Sequence, residues 1–157
     1  MTKDKIQEYT RRISEANKTE IIVIVYEMAN DYFEDAYNAI SLKDYDAYKM
    51  SCDRIIRCAD HLLKSLDMKY EIAGNLRSIY EYVIKEVGIA SVKREPEILK
   101  ALQSFMKKLH GSFIELSKQD ESAVLMQNAQ TVYAGLTYGK NSLNESMNSV
   151  SNRGFIV

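Results

Sequence analysis

Residues 54–87 read RIIRCADHLLKSLDMKYEIAGNLRSIYEYVIKEV, and apolar residues recur in this segment every three or four positions. They are Ile55, Ile56, Ala59, Leu62, Leu63 and Leu66 in the first half, then Ile72, Leu76, Ile79, Tyr80, Val83 and Val87. Because a helix completes a turn in about 3.6 residues, each set lies on one side of a helix. Residues 65–69 leave room only for a tight reversal or a helix kink, and the two helices are predicted to pack as an antiparallel hairpin.

Helix-start signals predict the helices on either side of this hairpin. Asn17 is followed three positions later by Glu20, a pair that can satisfy two free amide groups at the start of a helix. Asp44 and Asp67 are predicted to cap the two hairpin helices, and Pro96 suits the first turn of a last helix. Four helices of about 20 residues with short connections predict an all-α, antiparallel four-helix bundle.

The two ends of the chain differ from the bundle. Residues 1–118 are predicted to form the bundle domain, in which residues 1–16 are a short helix or an arm. Residues 119–157 form a polar extension. Within it, residues 123–132 are the candidate for a short extra helix, and the part that follows is rich in Asn, Ser and Gly. Such a composition buries too little apolar surface to offset the entropy of ordering, so this tail is expected to be partly disordered.

Composition excludes several classes of function. The 21 basic and 22 acidic residues are interspersed, and the net charge is -1, so no basic face favours nucleic acid. No segment approaches the roughly 20 apolar residues of a membrane span, and the N-terminus has no signal-peptide pattern. Cys52 and Cys58 lie about 240° apart on a helix, which suits neither a disulfide nor a metal site. Reduced thiols and a cytoplasmic location are expected.

The histidines do not indicate a metal site. A di-iron bundle needs a glutamate three residues before each ligand histidine, but Cys58 precedes His61 and Lys107 precedes His110 at that spacing. No set of residues typical of nucleophilic catalysis is present either. We therefore predict a non-enzymatic protein without a metal or a cofactor.

One short motif leaves an alternative open. Residues 61–65, HLLKS, resemble the His-x-Leu-Lys-Gly segment of histidine phosphotransfer domains, which are also four-helix bundles. In that interpretation His61 carries the phosphoryl group, although Ser65 stands where those domains have glycine. The other interpretation is a solvated histidine on the polar face of a helix.

A longer resemblance spans roughly residues 9–117. The matching segments are EANKTEIIVIVYEMA at 15–29, SLD at 65–67, EIAGNL at 71–76 and IYEYV at 79–83. In this order and spacing they resemble the flagellar secretion chaperone FliS family. The chain departs from the family pattern where Lys18 replaces a proline, Met28 a glycine and Phe113 a tryptophan.

The resemblance implies a cytoplasmic export chaperone for flagellin. Such a chaperone binds the disordered C-terminal region of flagellin, prevents premature polymerisation and keeps the client competent for export. The export apparatus and an anti-sigma factor are further implied partners, and the N-terminal arm is implied to lie over a groove when no client is bound. The implied flagellin contacts are Tyr9, Ile13, Ile56, Leu63, Leu66, Asn75, Ile79 and Tyr80. The alternatives are phosphotransfer through His61 and a non-enzymatic helical adaptor for another partner.

Overall fold

The computed structural model describes residues 1–126, which contain five helices and no strand. The helices are α1 (Lys3–Glu15), α2 (Lys18–Ser41), α3 (Tyr45–Lys64), α4 (Glu71–Lys93) and α5 (Pro96–Ser117). The predicted all-α class is confirmed. Among the described residues, none of these helices has both the length and the apolar character needed to cross a bilayer.

Helices α2 to α5 form the predicted antiparallel bundle. Helix α2 packs against both α3 and α5, and α3 packs against α4. The Tyr48 hydroxyl at the start of α3 donates to the Ala90 carbonyl near the end of α4, at 3.1 Å. The Gln103 amide on α5 donates to Glu34 on α2 at 2.7 Å. Of the four neighbouring pairs in the bundle, α4 and α5 pack least closely.

Large aromatic side chains fill the centre of the bundle. Tyr26, Phe33, Tyr48 and Tyr80 are almost completely buried. Burying one such side chain stabilises the fold by roughly 1.5–3 kcal/mol. The hydroxyls of Tyr26 and Tyr80 are 2.5 Å apart and hydrogen-bond to each other, so neither polar group is left unpaired in the core.

Three of the predicted helix starts are confirmed. The Asn17 side chain accepts from the Glu20 amide, and the Glu20 carboxylate accepts from the Asn17 amide, each at 2.8 Å. The Asp44 carboxylate caps α3 by accepting from the Ala47 amide at 3.0 Å. Pro96 occupies the first turn of α5. Each of these signals acts within one turn of the chain, so it can be recognised from the sequence alone.

The predicted cap at Asp67 is wrong. Helix α4 begins only at Glu71, and Tyr70 precedes it without a side-chain cap. Asp67 instead accepts from the Lys69 amide at 3.0 Å, so it stabilises the turn between α3 and α4. An aspartate can bond to the backbone two residues ahead as readily as it caps a helix, and here the turn is favoured.

The candidate extra helix at residues 123–132 lies mostly outside the described residues. Residues 121–126, which the structure does describe, contain no helix and are exposed to solvent. The additional helix within the described residues is α1, which falls in the segment predicted as a short helix or an arm.

Candidate partner-binding surface

Helix α1 lies antiparallel along α2 and buries the two arm residues that were predicted to contact flagellin. Tyr9 is 6% exposed and packs with Ala16 and Ile24, while Ile13 and Met28 are partly buried against them. These contacts form a small apolar cluster that is separate from the bundle core. Helix α1 therefore covers part of the outer face of α2.

Charged contacts hold the first half of α1 on α2. The Lys5 ammonium lies 2.5 Å from Asp31, and the Tyr9 hydroxyl donates to the same carboxylate at 2.7 Å. Burial and the neighbouring Asp31 carboxylate raise the pKa of Tyr9 well above its usual value. The N-terminal ammonium of Met1 pairs with Asp35, one turn further along α2.

At the second half of α1, three helices meet around Glu27. The Arg12 guanidinium of α1 donates to both Glu27 oxygens, at 2.5 and 3.1 Å. Nε2 of His110, on α5, is 3.9 Å from Glu27 Oε1, and its ring stacks on Tyr26. Burial lowers the pKa of His110, whereas the Glu27 carboxylate opposes that shift. Glu27 thus links the arm to α5 through α2.

The predicted contact residues of α3 lie on the flank that faces α4. The Tyr48 hydroxyl of α3 donates to the Ala90 carbonyl of α4, and the Cys52 thiol, one turn later, lies beside Ser91 of α4, so this side of α3 is the one next to α4. Ile56 and Leu63 follow on the same side at helical spacing and are half-buried. Leu66, in the turn after α3, is also half-buried. These three side chains form one apolar edge at the α3–α4 boundary.

Two predicted contacts on α4 lie on its opposite flank. Ile79 is about 120° around α4 from Ser91, and therefore points toward the α5 side. Asn75 is exposed on the same flank, one turn before Ile79. The structure thus places the predicted residues of α3 and those of α4 on two different edges of the bundle.

Tyr80 differs from the other predicted contacts because it is only 1% exposed. Its hydroxyl is bonded to Tyr26 and its ring belongs to the main core. No contact with a partner is present that would test its predicted role. In this structure Tyr80 is a core residue that packs beneath the surface of α4.

Apolar side chains that are exposed or half-buried lie on the flanks of α4 and α5 that face each other. On α5, Gln103 and His110 contact α2, and Phe105 is about 140–160° around the helix from both. That flank of α5 therefore faces α4. We call this surface the α4–α5 groove; its apolar residues are Ile72, Ile79 and Tyr82 of α4 and Phe105, Leu109 and Leu116 of α5.

Exposure distinguishes the α4–α5 groove from ordinary core packing. Ile72 is 63% exposed, Tyr82 56%, Leu116 52% and Phe105 40%. The sequence does contain a signal for this surface, because the apolar stripes of both helices are wider than one neighbour can cover. A row of exposed apolar side chains between two helices can accept an amphipathic helix from a partner.

The residues considered for other chemistry do not come together. His61 is exposed in the last turn of α3, and the neighbouring Lys64 is paired with Asp60 at 2.6 Å. Cys52 and Cys58 are buried free thiols, and burial raises the pKa of Cys58 to about 12. Within residues 1–126 no three His, Cys, Asp or Glu side chains are grouped so that they could hold a metal ion.

A comparison with protein families gives a match over most of the chain. The family model described as "Flagellar protein FliS" matches residues 1–120 of the 157. The matched residues include all five helices and the groove between α4 and α5. No curated protein matches the chain closely enough to count as a relative.

Proposed function

Because this chain belongs to the FliS family of flagellar proteins, we propose that it is the export chaperone of flagellin. Family membership implies a flagellar chaperone in general terms. The proposed client is the disordered C-terminal region of flagellin, which the protein binds in the cytoplasm, protects from premature polymerisation and keeps competent for export. The export apparatus and an anti-sigma factor are proposed as further partners.

The exposed apolar side chains of the α4–α5 groove are the observation that supports this proposal most strongly. The exposed Ile72 and the half-buried Ile79 are two helical turns apart on α4, and the half-buried Leu109 and the exposed Leu116 repeat that spacing on α5. An amphipathic client helix can lay its apolar stripe along such a row. The exposed Asn75 amide beside Ile79 adds a group that can hydrogen-bond to the client.

Helix α1 supports the same mode of recognition elsewhere on the bundle. It is itself an amphipathic helix, and it packs Tyr9 and Ile13 against the outer face of α2. We propose that a client segment replaces these contacts when α1 moves away. The apolar edge formed by Ile56, Leu63 and Leu66 extends the proposed client surface along α3.

The binding energy of such a complex comes from many modest contacts. A client that is disordered before binding loses conformational entropy when it orders, which offsets part of the gross interaction energy. A long surface divided among several edges of the bundle provides enough contacts to offset this entropy loss, which one deep pocket would not. No covalent step or nucleotide is needed for the client to be held in this way.

Titration calorimetry with the C-terminal segment of flagellin from the same source tests the proposal. We expect one-to-one binding with a large negative heat-capacity change, because apolar surface is buried. Phe105→Glu should weaken binding by about tenfold or more, since it places a charge in the α4–α5 groove. Val92→Glu is the matched control, because Val92 is 84% exposed and lies about 140–160° around α4 from Ile79 and Ile72.

Two results would contradict the proposal. The first is the absence of binding between the unaltered chain and either the segment or full-length flagellin. The second is an equal loss of affinity in Phe105→Glu and Val92→Glu, which would show that the α4–α5 groove is not the site. Unchanged thermal unfolding of both variants is required before either affinity is interpreted.

A further inference from the structure

The residues after α5 return to the junction between α1 and α2. We call residues 118–126 the strap. They contain no α-helix, and within them Asp120 accepts from the Ser122 amide at 3.0 Å to form a tight turn. The strap begins where α5 ends and contacts residues about one hundred positions earlier in the chain. Its position is therefore set by tertiary contacts.

Two contacts of the strap engage the start of α2. The Asn17 side chain is 5% exposed and uses both of its ends, because its oxygen accepts from Glu20 and its amide donates to the Asp120 carbonyl at 3.3 Å. The Thr19 hydroxyl donates to the Asp120 carboxylate. The hydrogen bonds from Ser122 and Thr19 lower the pKa of Asp120. The strap is thus bonded directly to the cap of α2.

A third contact engages the end of α1. The Leu125 amide donates to the Ala16 carbonyl at 3.1 Å. Ala16 is the C-cap residue that directly follows α1, and it has an extended backbone. The last carbonyl groups of a helix have no hydrogen-bond donor inside the helix. The Leu125 amide of the strap supplies a donor to one of them. Ala16 and Asn17 are the only two residues between α1 and α2, and both are buried.

We propose that the strap locks the α1–α2 junction and so controls how often α1 leaves the face of α2. Among the helices, α1 packs mainly against α2, and its apolar cluster is small. Movement of α1 must pivot at Ala16 and Asn17, where the strap is bonded on both sides. Releasing the strap should raise the population in which Ile24 and Met28 are uncovered.

Hydrogen exchange of the full-length protein tests this proposal without any client. Leu125→Pro removes the amide that bonds to Ala16, and Leu125→Ala is the matched control because it keeps that amide. We expect peptides from α1 to exchange about fivefold faster in Leu125→Pro than in Leu125→Ala. This is the change in rate that follows from the loss of one hydrogen bond of ordinary net strength. Peptides from α3 should exchange equally in both variants, which shows that the bundle is intact.

A second variant removes a bond from the other side of the junction. Thr19→Val deletes the hydroxyl that bonds to Asp120, and it should speed both exchange in α1 and tryptic cleavage at Arg11. Glu121→Ala, an exposed neighbour in the strap, should change neither rate. Equal exchange of α1 in Leu125→Pro and Leu125→Ala would overturn the proposal. So would an α1 that is already unprotected in the unaltered protein.

The consequence for the client rests on the proposed function. If flagellin takes the place of α1, Leu125→Pro should bind the flagellin C-terminal segment more tightly than Leu125→Ala, because α1 competes less. Equal affinities would show that the strap does not regulate the client. Absence of binding in all variants would contradict the proposed function alone. The hydrogen exchange of α1 would still show whether the strap holds the junction between α1 and α2.

Discussion

The hydroxyl pair Tyr26–Tyr80 joins α2 and α4 across the core, and it should be strongly coupled. Tyr80→Phe leaves the Tyr26 hydroxyl, which is completely buried, without its partner. We expect a loss of about 1–3 kcal/mol in the free energy of unfolding for either single Phe variant. The double variant Tyr26→Phe/Tyr80→Phe should lose less than the sum, because no buried hydroxyl is left.

Urea unfolding of the two single variants and the double variant measures this coupling. Tyr82→Phe is the matched control, because Tyr82 is 56% exposed on the same helix and should change stability by less than about 0.5 kcal/mol. Strict additivity of the two single losses would mean that the hydroxyls do not interact.

His110 should make stability depend on pH. Burial lowers its pKa in the folded protein, and the groups that face it are Glu27, Arg12 and Tyr26. The unfolded chain therefore takes up a proton near pH 6.5 while folded His110 stays neutral to lower pH, so unfolding becomes easier as the pH falls. The loss of stability is absent above the pKa that His110 has in the unfolded chain, and it grows as the pH falls below that value.

Urea unfolding between pH 7.5 and about 5.5 tests the role of His110. His110→Gln should lose less unfolding free energy over this range than the unaltered chain. The exposed His61 supplies the control, and His61→Gln should retain the original pH dependence. The same loss in His110→Gln and His61→Gln would rule out His110 as the source.

Gly111 destabilises α5, and no neighbouring atom within residues 1–126 requires a glycine at this position. It is exposed in the helix, and a Cβ added there would meet nothing within 4 Å. Gly111→Ala should stabilise the protein by about 1 kcal/mol, because alanine loses less backbone entropy in a helix. The melting temperature should rise by about 3 °C. Ser112→Ala, the exposed neighbour, should raise it less, and a decrease for Gly111→Ala would contradict this account.

The elements of this fold were predictable where their signals are local. Asn17 with Glu20, Asp44 and Pro96 mark helix starts through bonds and backbone angles within one turn, and the structure confirms each. Asp67 failed because a turn and a cap compete for the same carboxylate, and the sequence does not show which one tertiary packing favours.

The candidate surface was less predictable because it depends on how the helices are placed. Ile72 and Phe105 follow the apolar period of their helices, so the sequence assigns them to the core, yet both are exposed. Tyr80 follows the same period on α4 and is buried, while its role as a flagellin contact stays a prediction. A helical period reveals which residues share a flank, but only the neighbouring helix decides whether that flank is covered.

The boundary of the folded domain should lie beyond residue 118. The sequence predicts the bundle domain as residues 1–118, whereas Asp120 and Leu125 bond to residues 16–19. We therefore propose that residues 1–126 are the stable unit. A chain ending at residue 118 lacks the three hydrogen bonds that join the strap to residues 16–19, each with a net contribution of about 1 kcal/mol.

Thermal unfolding of the two truncated chains tests this boundary. The 1–118 chain should melt roughly 6–9 °C below the 1–126 chain, because a loss of 1 kcal/mol lowers the midpoint of a domain of this size by about 3 °C. Asp120→Ala in the 1–126 chain removes the bonds from Thr19 and Ser122 but keeps the bonds from Asn17 to the Asp120 carbonyl and from Leu125 to Ala16, so its melting temperature should fall between the two. Equal midpoints for 1–118 and 1–126 would return the boundary to residue 118 and would mean that the strap bonds add no net stability.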